Sequence, residues 1–496
     1  MSGKANFDLS KDADVVVIGA GPGGYPAAKR AAQLGARVVC IESDNPGGTC
    51  LNWGCIPTKT MIGSVAALHT LKHAKDFGLT AENVGYDFGA LMGRKDKIVT
   101  GLNKGVEFLL KSVKVKHIAG YGKILDKNTV EVTKADGSVE KITTANIIIA
   151  TGSVPSRVPI PGVDSADIWV DNAAVKAKKA AGTLATGPLW TSNEAVSAQN
   201  VPGELVIVGG GVIGVEFAYV YAGLGSKVTV LEFLPRVIAN MDEDLSKELT
   251  KSLKKQGIVI QTGVKVTRVE DKDGKKEVFF AGEDGAEKSL PADVVLIATG
   301  RTPFTTGLGL ESVGITLGSP KGRAAIAVNN KLETSVPGIY AIGDVIGSGL
   351  AHTATAEGLV AAENICGHAA TMSYKAIPSC IYTEPEVAAV GLTEAQAKEQ
   401  GYDVKVGTFP FRNLAKAMAI GQTEGFVKVV AEAKYGEILG VHIIGPHATD
   451  LIMEAVVSIQ LENTVDELMK TVHSHPSLAE AMGQANEDVK GLAIDK

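Results

Sequence analysis

Two segments repeat one pattern at a fixed offset, and that repeat restricts the fold more than any other feature of the chain. Residues 14–18, DVVVI, read as a buried parallel strand. The following GAGPGG opens a helix that runs through alanines to Leu34, Gly35 closes it, and RVVCIE reads as a second strand. Gly19, Gly21 and Gly24 take the Gly-x-Gly-x-x-Gly positions, and Glu42 ends the second strand. The stretch LVIVGGGVIGVEFAYVYAGLGSKVTVLE repeats this with Gly209, Gly211, Gly214 and Glu232, each 190 residues beyond its counterpart; Gly225 follows Gly35 at the same distance. One such loop is weak evidence. Two in register, each inside a strand, helix, strand unit, predict two dinucleotide sites. The glycines let a pyrophosphate approach a helix N-terminus, where unpaired N–H groups favour anions, and each Glu is placed to accept hydrogen bonds from a ribose.

A smaller echo appears in Ala150-Thr151-Gly152-Ser153-Val154-Pro155 and Ala298-Thr299-Gly300-Arg301-Thr302-Pro303. Each follows an apolar strand, NIII or DVVLI, and each marks the end of a nucleotide-binding half. A tight strand exit accounts for the glycine equally well.

Just beyond the first nucleotide loop lies GGTCLNWGCIPTK, with Cys50 and Cys55 five positions apart. In a regular helix such positions point about 140° apart, so a bridge between them requires an irregular turn. A strained bridge of that kind is readily reduced, which points to redox work. Two free core thiols and half of a zinc site are the plain alternatives; zinc favours closer spacing and a second ligand pair, which Cys366 and Cys380 do not supply.

Length and charge narrow the function class. A chain of 496 residues has room for about three domains. Its 49 basic and 55 acidic residues leave a net charge of -6 without a dense basic run, which argues against nucleic acid as a partner. Five cysteines are too few for a secreted disulfide framework. The most apolar stretch, Glu204 to Gly225, is broken by six glycines and carries Glu216, so no membrane insertion is expected. MSGKANFDLSKDAD has neither an apolar signal region nor an Arg-rich transit composition, and a cytoplasmic protein is expected, or one of an organelle matrix if a leader has been removed.

The order of the two glycine loops, GGTCLNWGCIPTK, Ile342-Gly343-Asp344 and His473-Ser474-His475-Pro476 resembles the FAD-dependent pyridine nucleotide disulfide oxidoreductases over nearly the whole chain. The members it resembles most oxidise dihydrolipoyl groups with NAD+. The resemblance implies an α/β fold with two Rossmann-like dinucleotide-binding domains, the second inserted in the first, and a C-terminal α/β dimerisation domain. The expected boundaries are 1–163 and 295–372 for the FAD domain, 164–294 for the NAD domain and 373–496 for the interface. It makes Cys50 the thiol that exchanges with substrate and Cys55 the one beside the flavin, with Lys59 approaching the ring and pairing with Glu216. FAD is expected at Gly19, Gly21, Gly24, Glu42, Lys59, Gly122, Thr151, Gly152, Ser153, Asp344, Ala351 and His352. NAD is expected at Gly209, Gly211, Gly214, Glu216, Glu232 and Gly300, and Glu232 favours it over NADP by repelling a 2′-phosphate. Arg236, in a loop after Pro235, reads as an ordinary surface charge.

His475 resembles the family's catalytic base, with Glu480 as its partner; Pro476 suits the first position of a helix that turns Glu480 back. His473 reads as a packed or capping residue. Because Cys50 and His475 lie at opposite ends of the chain, the resemblance implies a homodimer with each active site shared between subunits. The substrate would be the dihydrolipoyl group of an acyltransferase or a glycine-cleavage carrier, and with no lipoyl domain before Asp14 any larger complex would form by surface docking.

The chain departs from the family pattern in two places, the cysteine turn and the stretch before Glu194. Trp53 stands between the cysteines where a small aliphatic residue is usual, and Thr58 where Ser is frequent. The region between Ser153 and Glu194 exceeds the usual length by roughly twenty residues, the extra part running from about Ala166 to Leu189 with Lys176, Lys178 and Lys179. It reads as a surface loop or short helix. The rival functions are another disulfide reductase of the family, a flavin-linked transhydrogenase, or a dinucleotide-binding scaffold.

Overall fold

The computed structural model describes residues 8–164, 168–318 and 324–496. Strand Ala13–Ile18 is buried at every position, as expected of a parallel strand covered on both faces. It pairs in parallel with Val38–Glu42 on one side and Val139–Ile149 on the other; Lys116–Ala119 and Ile339–Ala341 complete the parallel part. Helix α1 (Gly24–Gln33) makes the first crossover. The first half of Val139–Ile149 turns away to form an antiparallel ribbon with Thr129–Thr133, which also pairs with Tyr121–Asp126.

The second sheet repeats the plan. Its parallel order is Val259–Gln261, Lys227–Leu231, Glu204–Val208, Val294–Ile297 and Leu189–Trp190, beside an antiparallel ribbon of Lys265–Lys272, Lys275–Ala281 and Glu287–Ala292. Ile339–Ala341 rejoins the first sheet only after all of these strands, so the second nucleotide-binding unit is inserted in the first. The echo segments meet: Ser153–Pro155 and Arg301–Pro303 pair antiparallel where the chain passes between the two sheets.

The C-terminal unit is a five-stranded antiparallel sheet built on Ile438–Gly445, with helices Ala448–Gln460 and Glu480–Asp488. Among the described residues no helix is long and apolar enough to cross a membrane. Of the extra segment, Ala166 and Asp167 lie outside the described residues. The rest holds a helix, Asn172–Ala180, capped by the Asp171 side chain on the Ala174 N–H, and ends in strand Leu189–Trp190.

Candidate active site

The cysteine turn is irregular in the way its spacing required. After Gly47 and Gly48, both left-handed, a short helix α2 (Gly48–Asn52) carries Cys50 and stops at Trp53. Helix α3 (Cys55–Lys72) starts afresh beyond Gly54, so the two cysteines belong to different helices. A Cβ on Gly48 would lie 2.7 Å from the Cα of Gly21, so only glycine lets this turn press on the first nucleotide loop. Both cysteines are free thiols here. They face each other: the Cys50 S–H donates to Cys55, which pushes the Cys50 pKa up and draws the Cys55 pKa down, with Lys59 lowering it further. Of the two, Cys55 is the thiol whose ionisation this arrangement favours. Among the described residues no third His, Cys, Asp or Glu joins them in a group able to hold a metal ion.

Lys59, one helical turn after Cys55, donates to both carboxylate oxygens of Glu216 at 2.8 Å. Glu216 is only 3 % exposed and also accepts the Tyr382 N–H at 3.0 Å, while the Lys59 ammonium lies 4.5 Å from the centre of the Tyr382 ring. Glu216 is a buried partner and Lys59 a half-buried one, so neither is a plain surface charge.

The turn borders a cavity of about 1910 Å³ that reaches both glycine loops. On the first side it is lined by Gly19, Gly21, Glu42, Gly122, Thr151, Gly152, Ser153, Asp344, Ala351 and His352. Gly209, Gly211, Glu216, Glu232 and Gly300 line the other side, and Cys50, Cys55 and Lys59 lie on its wall. Gly24 and Gly214 do not reach it; a Cβ there would fall 1.9 Å from the Gly19 oxygen and 2.0 Å from the Gly209 oxygen, so they permit helix to pack on strand.

The repeat persists at the level of single hydrogen bonds. Glu42 accepts from the N–H groups of Ala20 and Asp44, at 2.7 and 2.8 Å; Glu232 accepts from Gly210 and, at 2.7 Å, from Leu234, the residues 190 further on. Each carboxylate thereby anchors its own nucleotide loop and still faces the cavity. The Thr299 hydroxyl, buried on the cavity wall, has no hydrogen-bond partner among the described residues. Glycine-lined helix starts, acidic strand ends and an unpartnered hydroxyl fit dinucleotides.

Arg301 carries more than the sequence assigned to it. Its guanidinium donates to the Ser153 hydroxyl at 2.8 Å and the Ser153 carbonyl at 2.6 Å, and Ser153 in turn donates to Asp344 at 2.5 Å. Burial lowers its pKa, while Asp344 and Cys55 pull the other way. The signal was present: the second echo has Arg where the first has Ser. Arg236 is no plain surface charge either, since it donates to the carbonyls of Ala239 and Met241 and braces its own loop.

At the other end of the chain, His475 Nδ1 lies 2.7 Å from Glu480 Oε1, as expected, and Glu480 also accepts the Ser477 N–H at 2.8 Å. Pro476 is not the first residue of a helix: its peptide bond to His475 is cis, and the helix begins at Glu480. The His475 side chain is 73 % exposed, and neither it nor Glu480 lines the cavity of its own chain. His473 is packed, 2.9 Å from Glu454.

Residues 13–358 match the family described as pyridine nucleotide-disulphide oxidoreductase, and residues 377–486 match its dimerisation domain. The chain is 42% identical over 489 residues to dihydrolipoyl dehydrogenase of Mycobacterium leprae, covering 97% of this chain and 99% of the relative. It is 40% identical over 480 residues to the mitochondrial dihydrolipoyl dehydrogenase of Pisum sativum, covering 96% and 91%. Among solved structures, LpdA of Mycobacterium tuberculosis superposes with a TM-score of 0.84 at 27% identity, covering 96% of this chain and 99% of that one. The HOCl-induced flavoprotein disulfide reductase RclA of Escherichia coli gives 0.81 at 27% identity, with the same coverage. The chain belongs to the pyridine nucleotide-disulphide oxidoreductase family, a family of dimeric enzymes that use FAD and NAD(H).

Proposed function

We propose that this protein is a dihydrolipoyl dehydrogenase, which oxidises dihydrolipoyl groups with NAD+. The observation that carries the reading is the thiol pair Cys50 and Cys55, on the wall of a cavity that two matched dinucleotide loops share. In the oxidised enzyme these sulfurs form a disulfide. A substrate thiolate attacks Cys50, making a mixed disulfide and releasing Cys55 as thiolate. The second substrate thiol, deprotonated in its turn, displaces Cys50, so the lipoyl ring closes as the cysteine pair takes up two electrons. The Gly19–Gly21 loop, Glu42 and Asp344 would hold FAD, which would supply the two-electron chemistry between the reduced cysteines and NAD+. Lys59 helps keep Cys55 charged for that exchange, and Glu216, whose own charge opposes the ionisation, holds the Lys59 ammonium in place.

The proton acceptor is His475 of the partner subunit, oriented by Glu480, an assignment supported by its exposure and by its absence from the cavity of its own chain. The physiological substrate is a lipoyl group on an acyltransferase or a glycine-cleavage carrier, in the cytoplasm or an organelle matrix. The domain division after 163 and 372 belongs to the same proposal. The middle boundary moves beyond Ile297, because Val294–Ile297 pairs with Glu204–Val208 in the second sheet.

The test is turnover of dihydrolipoamide with NAD+, repeated after alkylating the thiols that reduction exposes. The reading requires activity that alkylation abolishes. Full activity after alkylation would favour a transhydrogenase, and none in either case a scaffold.

A further inference from the structure

The two departures from the family pattern, Trp53 and the extra segment, are in contact. The Lys179 ammonium of helix Asn172–Ala180 lies 5.6 Å from the centre of the Trp53 ring, and Val175 and Leu184 share a buried apolar cluster with Trp53. Lys176 donates to the carbonyl of Asp44 at 3.3 Å, and the Asp44 carboxylate takes the Trp53 indole N–H at 2.6 Å. The added helix is therefore seated on the segment between the two cysteines, and a small aliphatic residue at 53 would leave part of that seat empty.

The start of this helix faces the cavity. Asp171 is already engaged, capping the helix and accepting from the Tyr121 hydroxyl at 2.6 Å. Asn172 is engaged by half: its side-chain N–H₂ donates to the Thr49 hydroxyl, next to Cys50, at 3.0 Å, while its carbonyl Oδ1 is buried on the cavity wall without a partner. A buried amide oxygen left without a donor costs free energy that a bound group can recover. The opposite amide orientation would leave the N–H₂ free instead, so one polar end of Asn172 stays unpaired either way.

We propose that Asn172 is a further binding residue of the flavin nucleotide site, brought there by the extra helix: it fixes Thr49 beside Cys50 and offers its remaining polar end to the bound FAD. The proposal rests on the reading of this cavity as the FAD site. A hydroxyl of the ribityl chain or a ring N–H is the class of donor that Oδ1 accepts.

The test measures FAD release from the holoenzyme on dilution, by the fluorescence of the freed flavin. For Asn172→Ala the expected result is FAD held about five- to tenfold more weakly, the size of one hydrogen bond. Lys179→Ala, which loosens the helix on Trp53 without touching the cavity, is expected to hold FAD within about twofold of the parent. Unchanged retention in Asn172→Ala would overturn the proposal, as would an equal loss in Lys179→Ala, which would mark the helix as structural support alone. A parent protein that binds no FAD would instead refute the reading of the cavity itself.

Discussion

The Lys59 ammonium bridges two active-site helices: it stands one turn beyond Cys55 on its own helix and 2.8 Å from both oxygens of Glu216 on the helix that opens the second nucleotide loop. Lys59→Met removes the cation that helps hold Cys55 as thiolate. Removing an influence that lowers an acid's pKa raises it, so the thiolate should form about one pH unit higher. Glu216 would keep only the Tyr382 N–H, and the fold should lose about 2 kcal/mol, less than a fully buried pair because Lys59 is partly exposed. A pH titration of the long-wavelength absorbance of the two-electron-reduced enzyme, with urea unfolding alongside, checks both; an unmoved titration contradicts the assignment.

Asp44 gives a pH dependence of stability. Burial pushes its carboxyl up to about 6, against the hydrogen bond from Trp53, which pulls it down. A carboxyl raised on folding contributes stability that is full below its unfolded value, about 3.9, and is lost as pH rises through about 6. Asp44→Asn retains an acceptor for Trp53 and cannot ionise. It should be more stable than the parent by about 3 kcal/mol at pH 8, with the difference falling to about 0.5 kcal/mol near pH 4. Unfolding curves at the two pH values decide.

Glu232 bears on cofactor choice. Its carboxylate closes the second loop through Gly210 and Leu234 and faces the cavity, where it would accept from a ribose hydroxyl and repel a phosphate. The parent should use NAD+ over NADP+ by at least about a hundredfold in kcat/KM, and Glu232→Ala should reduce that ratio about tenfold or more, mainly by weakening NAD+. Equal use of both cofactors by the parent would sink this assignment.

The shared site is tested by subunit exchange. Cys50→Ser and His475→Gln homodimers should each be almost inactive, and their mixture should regain activity as heterodimers with one intact site form. A mixture that stays inactive despite proven exchange would argue for sites confined to single chains.

Much of this was legible before any coordinates. The offset of 190 in the glycine loops persists to individual hydrogen bonds of Glu42 and Glu232, because identical strand, helix, strand units place identical groups. That a bond between Cys50 and Cys55 needs a break in the helix followed from helix geometry, and the chain is broken there at Gly54. What local pattern did not reveal depended on tertiary contact. Arg301 sits in an echo whose pairing with Ser153–Pro155 links residues about 150 apart, and periodicity carries no information about such pairing. The residue type of Pro476 suits a helix start, yet the helix begins four residues later, at Glu480. Asn172 lies in a segment with no counterpart in the family pattern, so only its contact with Thr49 draws attention to it.

The most direct test is anaerobic reduction of the purified enzyme by one equivalent of dihydrolipoamide, followed by visible absorbance and by alkylation of thiols. A long-wavelength band from a thiolate against oxidised flavin should appear, together with two newly reactive thiols at Cys50 and Cys55; in Cys50→Ser, where Cys55 has no disulfide partner, neither the band nor the number of reactive thiols should change when dihydrolipoamide is added. Bleaching of the flavin with no such band and no new thiols would mean that the electrons bypass the cysteines.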